Sequence, residues 1–246
     1  MRERMMVIWA LLLIAVILAY SLGLVDVDAW LKAARNLSVF ASDLYIRYDL
    51  LQDALSAVGE TFVIALFGTV VGALISYPLS AMSAQGITAR WLSLTIRTMA
   101  NVLRTVPAIF WGILFVVMFG PGNVAGAVAL ALYTAGYLSK FFYETFENVG
   151  KEHYEALGSL GIPWMVMAKA LFKHTEKQMI GHMMFMFEYN LRTASIMGIV
   201  GAGGIGYYIT QYVSILNYSA AFTFFIVILL FVFLVDGVSY VIRKRM

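Results

Sequence analysis

The chain has 246 residues, of which 62% are apolar and only 13% charged, with a formal net charge of +3 and no cysteine. Ordinary soluble domains run at roughly 45–50% apolar and 25% charged, so a single water-soluble core is excluded and lipid must be the main solvent. The missing cysteines exclude a disulfide framework and a thiolate metal site, and the basic residues, gathered at the ends of apolar runs rather than in a stripe, point to membrane orientation over nucleic-acid binding.

A bilayer crossing needs ~20 largely apolar residues. Six runs qualify, roughly Met5–Leu24, Val58–Ser80, Thr98–Phe119, Val124–Phe146, Met179–Val200 and Ala221–Ile242. The first follows Arg2 and Arg4 but exceeds the ~7–15 apolar residues of a signal peptide. Ala19-Tyr20-Ser21 is also a poor cleavage site, so the run is expected to be retained. The segment from about 25 to 57 mixes Asp26, Asp28, Asp43, Asp49 and Asp53 with Lys32, Arg35 and Arg47. Its residues Leu44, Tyr48, Leu51 and Leu55 recur at helical spacing, so part of it is expected to lie on the membrane surface or extend the second span. A partner-docking role for it stays open.

Arg90, Arg97 and Arg104 are spaced by seven on one side of a helix entering the third span. Arg90 and Arg97 are expected to snorkel to headgroups, which leaves Arg104 as a candidate for the interior. Pro107 removes a backbone hydrogen bond and predicts a kink near Arg104. Gly120-Pro121-Gly122-Asn123 reads as a tight turn between the third and fourth spans.

A polar segment, about 147–178, separates the fourth and fifth runs. With the N-terminus inside, the cytoplasmic side receives Arg2, Arg4, Arg90, Arg97, Lys151, Lys169, Lys173, Lys177, Arg243, Lys244 and Arg245, and the outside only Lys32, Arg35 and Arg47. Both termini and the polar segment are therefore expected in the cytoplasm. His153, His174 and His182, all in or beside it, match no familiar zinc spacing.

Glu188, Asn190 and Arg192 lie deep in the fifth run, where charges must be paired or hydrated. Glu188 and Arg192 are four apart, in the order that favours a helical ion pair. Two readings follow: a self-neutralised packing pair, or an Arg192 held by Glu188 and Asn190 and offering its planar fork to a passing oxyanion. Lys140 reads as a snorkelling cation. Next, Gly198-Ile199-Val200-Gly201-Ala202-Gly203-Gly204-Ile205-Gly206 lacks the strand and the Lys-Ser/Thr of a nucleotide loop. Gly201, Gly203, Gly204 and Gly206 are instead expected to break the helix at its outer end, as a gate or a point of close approach, with Tyr207–Tyr218 as a short helix beyond. Ser195 has no histidine on its span, and no nucleophile–base pair stands out, so catalysis in this chain is not expected.

Glu155-Ala156-Leu157-Gly158-Ser159-Leu160-Gly161 resembles the EAA-type coupling segment of binding-protein-dependent ABC importer permeases, with Leu157 where a second alanine is common. Leu103-Arg104-Thr105-Val106-Pro107-Ala108 with Ala131-Leu132-Tyr133-Thr134-Ala135-Gly136, and Phe187 to Ser195 with the glycine string, narrow the likeness to permeases of the phosphonate type. The resemblance implies an all-α, type I (MetI-like) permease of about six spans, one membrane domain over residues 1–246. It also implies a homodimer, two cytoplasmic ATP-binding subunits that carry the ATP and magnesium, and an external substrate-binding protein, with no cofactor in this chain. Glu155, Ala156, Leu157, Leu160 and Gly161 are the expected ATPase-coupling residues; Arg192, Glu188, Asn190 and Arg104 the expected translocation path. The family's loop commonly closes on Leu-Pro, where this chain has Lys173-His174, and Pro163 comes earlier. An ion-coupled secondary transporter and a non-transporting scaffold are the alternatives; no inverted repeat supports the first.

Overall fold

A computed structural model describes residues 2–84, 88–149, 159 and 161–245 of the chain. They fall into two compact units, Met1–Tyr45 and Ile46–Met246.

In the first unit, α1 (Arg2–Ser21) exposes its large apolar side chains from Met5 to Tyr20 on every side. A helix apolar on every side belongs in lipid. The second helix, α2 (Val27–Ser42), is amphipathic, and the Asp26 carboxylate caps it by accepting from the Asp28 and Ala29 amides at 3.0 and 3.3 Å.

The second unit is built on α3 (Leu51–Ser83), entered through a 3-10 turn at Tyr48–Leu50, so the second span is extended at its N-terminal end, as one of the two expectations had it. Then come α4 (Arg90–Thr105), α5 (Ala108–Phe119), α6 (Asn123–Glu147), α7 (Trp164–Met197), α8 (Ile205–Ser214) and α9 (Tyr218–Arg245). Small residues let α3 and α6 run close together: a Cβ on Gly72 would stand 2.6 Å from Thr134 Cβ. Ser76 Oγ crosses the same seam, 3.0 Å from the Ala135 carbonyl oxygen. Toward the C-terminal end of α6, Leu138, Phe142 and Phe146 pack on Leu171 and Phe172 of α7, with Phe146 edge-on to Phe172 at 4.6 Å.

The kink foreseen at Pro107 is a full break. Val106 is extended, as a residue before proline prefers, and α4 and α5 meet at 85°. By length and composition four helical stretches suffice to cross a membrane, Arg4–Ser21, Tyr48–Ser83, Asn123–Glu147 and Tyr218–Arg245, and the bent α4–α5 pair makes a fifth. The expected sixth, Met179–Val200, does not reach that threshold as part of α7, because Glu188, Asn190 and Arg192 lower its hydropathy. Within the polar segment expected over 147–178, residues 161–163 are non-helical and α7 begins at Trp164, so Lys173 and His174 sit inside a helix rather than at a loop exit.

Candidate functional site

The four residues expected to line a path occupy three different environments. Asn190 is fully buried, and its Nδ2 donates to Thr69 Oγ1 at 2.9 Å and Thr134 Oγ1 at 2.8 Å. It joins α7 to α3 and α6 in the middle of the helix bundle and reaches no open face of the single chain.

Glu188 and Arg192 share a side of α7, but the i,i+4 ion pair between them does not form. Arg192 Nη1 donates instead to Asp236 of α9, 3.0 Å from Oδ2 and 3.3 Å from Oδ1. Glu188, with a side chain 8% exposed, has Oε1 2.8 Å from Arg243 Nη1. The reason is positional: Asp236 and Arg243 lie seven apart, two turns along one face of α9, opposite two α7 charges one turn apart. Each charge thereby gains a partner across the helix pair, where local pairing would leave the α9 charges unmatched. Asp236 is not among the residues expected from the sequence, although it is the sole acidic residue of the last apolar run. A lone intramembrane carboxylate asks for a cation, and that rule was the available signal.

Arg104 stands at the α4–α5 break, on a different face. Its Nε donates to Asn101 Oδ1 at 3.0 Å, and its guanidinium lies 6.0 Å from the centre of the Tyr137 ring. Around it α6 presents Tyr133, Tyr137 and Phe141, at i, i+4 and i+8, and α7 presents His182, Phe185 and Tyr189. The Tyr133 and Tyr189 hydroxyls are 3.0 Å apart, Tyr133 and Tyr137 rings 4.8 Å, and Phe141 stacks on His182 at 5.1 Å. Tyr189 and Phe185 remain exposed and Arg104 half-buried, so the face is open. The two sequence stretches around Arg104 and Gly136 meet here: a Cβ on Gly136 would touch the Ala100 carbonyl oxygen at 2.9 Å, and Trp111 Nε1 donates to the Leu103 carbonyl at 3.0 Å. The tyrosines were not foreseen, although their i, i+4 recurrence along the fourth run is visible in the sequence.

The glycine string breaks the helix as expected. α7 stops at Met197, a 3-10 turn covers Gly198–Val200, and α8 begins at Ile205. Gly203 has φ of +81°, and a Cβ there would lie 2.1 Å from Asn123 Oδ1. The loop is stitched to its neighbours: the Gly204 amide donates to Asn123 Oδ1 at 3.2 Å, the Ile205 amide to Thr61 Oγ1 at 2.8 Å, and the Gly122 amide to the Gly201 carbonyl at 2.9 Å. Beside it opens a cavity of about 260 Å³ bordered by Glu60, Asn123, Tyr207 and Tyr208.

At the opposite end, Arg97 is not the free snorkelling cation expected. It is ion-paired with Glu147, donates from Nε to the Ser83 carbonyl at 2.8 Å and lies 4.2 Å over the Tyr143 ring. The C-terminal ends of α3 and α6 are thus tied to the middle of α4 just before the polar segment. Lys140 likewise has a partner, Glu144 at 3.4 Å. Glu155, Ala156, Leu157 and Leu160 lie outside the described residues; Gly161 has φ of +68°, a left-handed conformation that glycine adopts without strain. Among the described residues no group of three histidine or acidic side chains could hold a metal ion.

Residues 76–246 match the family described as binding-protein-dependent transport system inner membrane component. The chain is 33% identical over 188 residues to the phosphite transport system permease protein PtxC of Stutzerimonas stutzeri, covering 76% of this chain and 68% of that protein. It is 31% identical over 196 residues to the phosphate-import permease protein PhnE of Mycolicibacterium smegmatis, covering 79% of this chain but only 37% of that longer protein. Among solved structures, an inward-facing MetNI methionine ABC transporter chain matches with a TM-score of 0.68 over 81% of this chain and 99% of its own, at 19% identity. An amino acid ABC transporter solved with histidines gives 0.62 over 88% and 98%, at 16% identity. The last two likenesses concern the fold.

Proposed function

Because the chain belongs to the family of binding-protein-dependent transport system inner membrane components, we propose that it is the permease subunit of an ATP-driven importer for a phosphorus oxyanion such as phosphonate, phosphite or phosphate. In this reading two copies form the path, two cytoplasmic ATP-binding subunits supply the energy with their own ATP and magnesium, and an external binding protein delivers the anion. Both termini and the segment around Glu155–Gly161 face the cytoplasm. The relatives named for phosphite and phosphate support the cargo class.

The observation that carries the reading within this chain is the open Arg104–Tyr137–Tyr133–Tyr189 face. A guanidinium has only donors to offer, and a pair of hydroxyls that share one hydrogen bond keeps a second O–H for an outside acceptor. That set suits the oxygens of a small anion, and its half-exposed position suits weak, releasable contact. Arg192 and Glu188, each committed to α9, belong in this reading to the wall of the path, and Asn190 to its internal bracing. Since the α7 charges are neutralised by Asp236 and Arg243, α7 can serve as the sixth crossing despite its polarity.

Uptake of phosphite or phosphate into proteoliposomes holding this chain, its ATPase and its binding protein provides the test. Arg104→Ala is expected to lower ATP-dependent uptake about tenfold, the scale of one lost hydrogen bond to a charge, with Arg104→Lys intermediate. Unchanged uptake in Arg104→Ala at equal protein level refutes the path assignment. For coupling, Glu155→Arg and Gly161→Trp are expected to leave ATP hydrolysis running while delivery stops. Normal stimulated uptake in both would remove the coupling role from this segment.

A further inference from the structure

A cavity of about 630 Å³ not used above is a groove along the seam of α3 and α7. Its walls are apolar: Val70 and Leu74 on α3, Met179, Ile180 and Met183 on α7. Leu74 and Ile180 are 69% and 43% exposed, so the groove opens sideways rather than into the core. Tyr77, stacked on Phe172 with ring centres 3.4 Å apart, lines it near the α7 N-terminal end. At that same end stand Lys169, Lys173 and Glu176. Lys173 is neutralised by Glu176 at 2.7 Å, whereas Lys169 has no acidic partner among the described residues, so the rim is left with one positive charge.

The dimensions decide what fits. From Lys169 to Met183 α7 rises about 21 Å, at ~1.5 Å per residue. One leaflet with its headgroup layer is also about 20–22 Å deep, half of ~40–45 Å. An occupant must therefore be apolar over one leaflet and anionic at the head, which describes an acidic phospholipid and not a short peptide or a free anion. We propose that this groove is a binding site for one anionic phospholipid, its acyl chain along Leu74, Ile180 and Met183 and its phosphate at Lys169. The site lies beyond the transport reading and rests on it only in taking the Lys169 end as the cytoplasmic leaflet.

Native mass spectrometry of the purified full chain, titrated with phosphatidylglycerol or with phosphatidylcholine of the same chains, tests it without any transport assay. Phosphatidylglycerol adducts are expected to be favoured about fivefold, the preference one uncompensated lysine gives near an anionic headgroup. Lys169→Glu, a surface change that leaves the fold intact, is expected to abolish the preference while keeping chain binding. Leu74→Trp, which fills the groove, is expected to reduce both adducts. Equal binding of the two lipids to the unaltered chain overturns the proposal, as does a preference that survives Lys169→Glu. Efficient disulfide linkage of two copies through Ile180→Cys would assign the groove to a subunit contact and overturn it as well.

Discussion

Gly206→Val is expected to leave almost no folded protein in the membrane. A Cβ at this position would stand 1.8 Å from the Ser195 carbonyl oxygen and 3.2 Å from Gly198 Cα. Neither neighbour is the mobile end of a side chain, so α7 and α8 would have to separate. Ordinary overpacking costs about 1–3 kcal/mol because a side chain can rotate away; backbone cannot, and the cost here exceeds that range. Separation would also pull on the Ile205 amide, which donates to Thr61 Oγ1 at 2.8 Å. Yield after detergent extraction and the monodisperse fraction measure the outcome. Gly59→Ala is the control: no atom lies within 4 Å of its added Cβ, and alanine in a helix interior is worth ~0.8–1.0 kcal/mol over glycine. Wild-type yield from Gly206→Val would mean that the close helix approach is not formed.

The second large effect is asymmetric. Arg243→Ala is expected to destabilise the protein by about 3–5 kcal/mol, because it strands the Glu188 carboxylate, 8% exposed, without its cation. Glu188→Gln is expected to cost far less. Arg243 lies in the last turn of α9, is 35% exposed, and can swing its long stem toward headgroups once the carboxylate is gone. The double change Glu188→Gln with Arg243→Ala should recover most of the loss, since no charge is then left unmatched. Thermal midpoints in detergent read this out, with a fall on the order of 10 °C for Arg243→Ala. Equal midpoints for the two single changes would show that this pair does not neutralise Glu188.

How far the residues alone reached is clear from the fifth run. Glu188, Asn190 and Arg192 stand out by depth in an apolar stretch, and that depth argument correctly demanded partners. It could not say which ones. A helix offers i+4 neighbours from its own sequence, but α9 supplies Asp236 and Arg243 from more than forty residues away, and only tertiary contact reveals that these face α7. Arg97 teaches the same: its spacing from Arg90 suggested a headgroup contact, while Glu147 and Tyr143 lie on another helix. Pro107 and the glycines of the 198–206 string, by contrast, act on their own backbone, so their breaks were readable in place.

Composition, apolar run length and the motifs around Glu155, Arg104 and Glu188 were enough to determine an all-helical membrane permease of the binding-protein-dependent family. These are properties of segments, and a bilayer imposes them on each segment separately. Which charges pair, and that Arg104 rather than Arg192 shares a face with Tyr137 and Tyr189, was decided only by tertiary structure. Pairing depends on the rotation of each helix about its axis, and that rotation is set by small residues such as Gly72 and Gly136 on the partner helices.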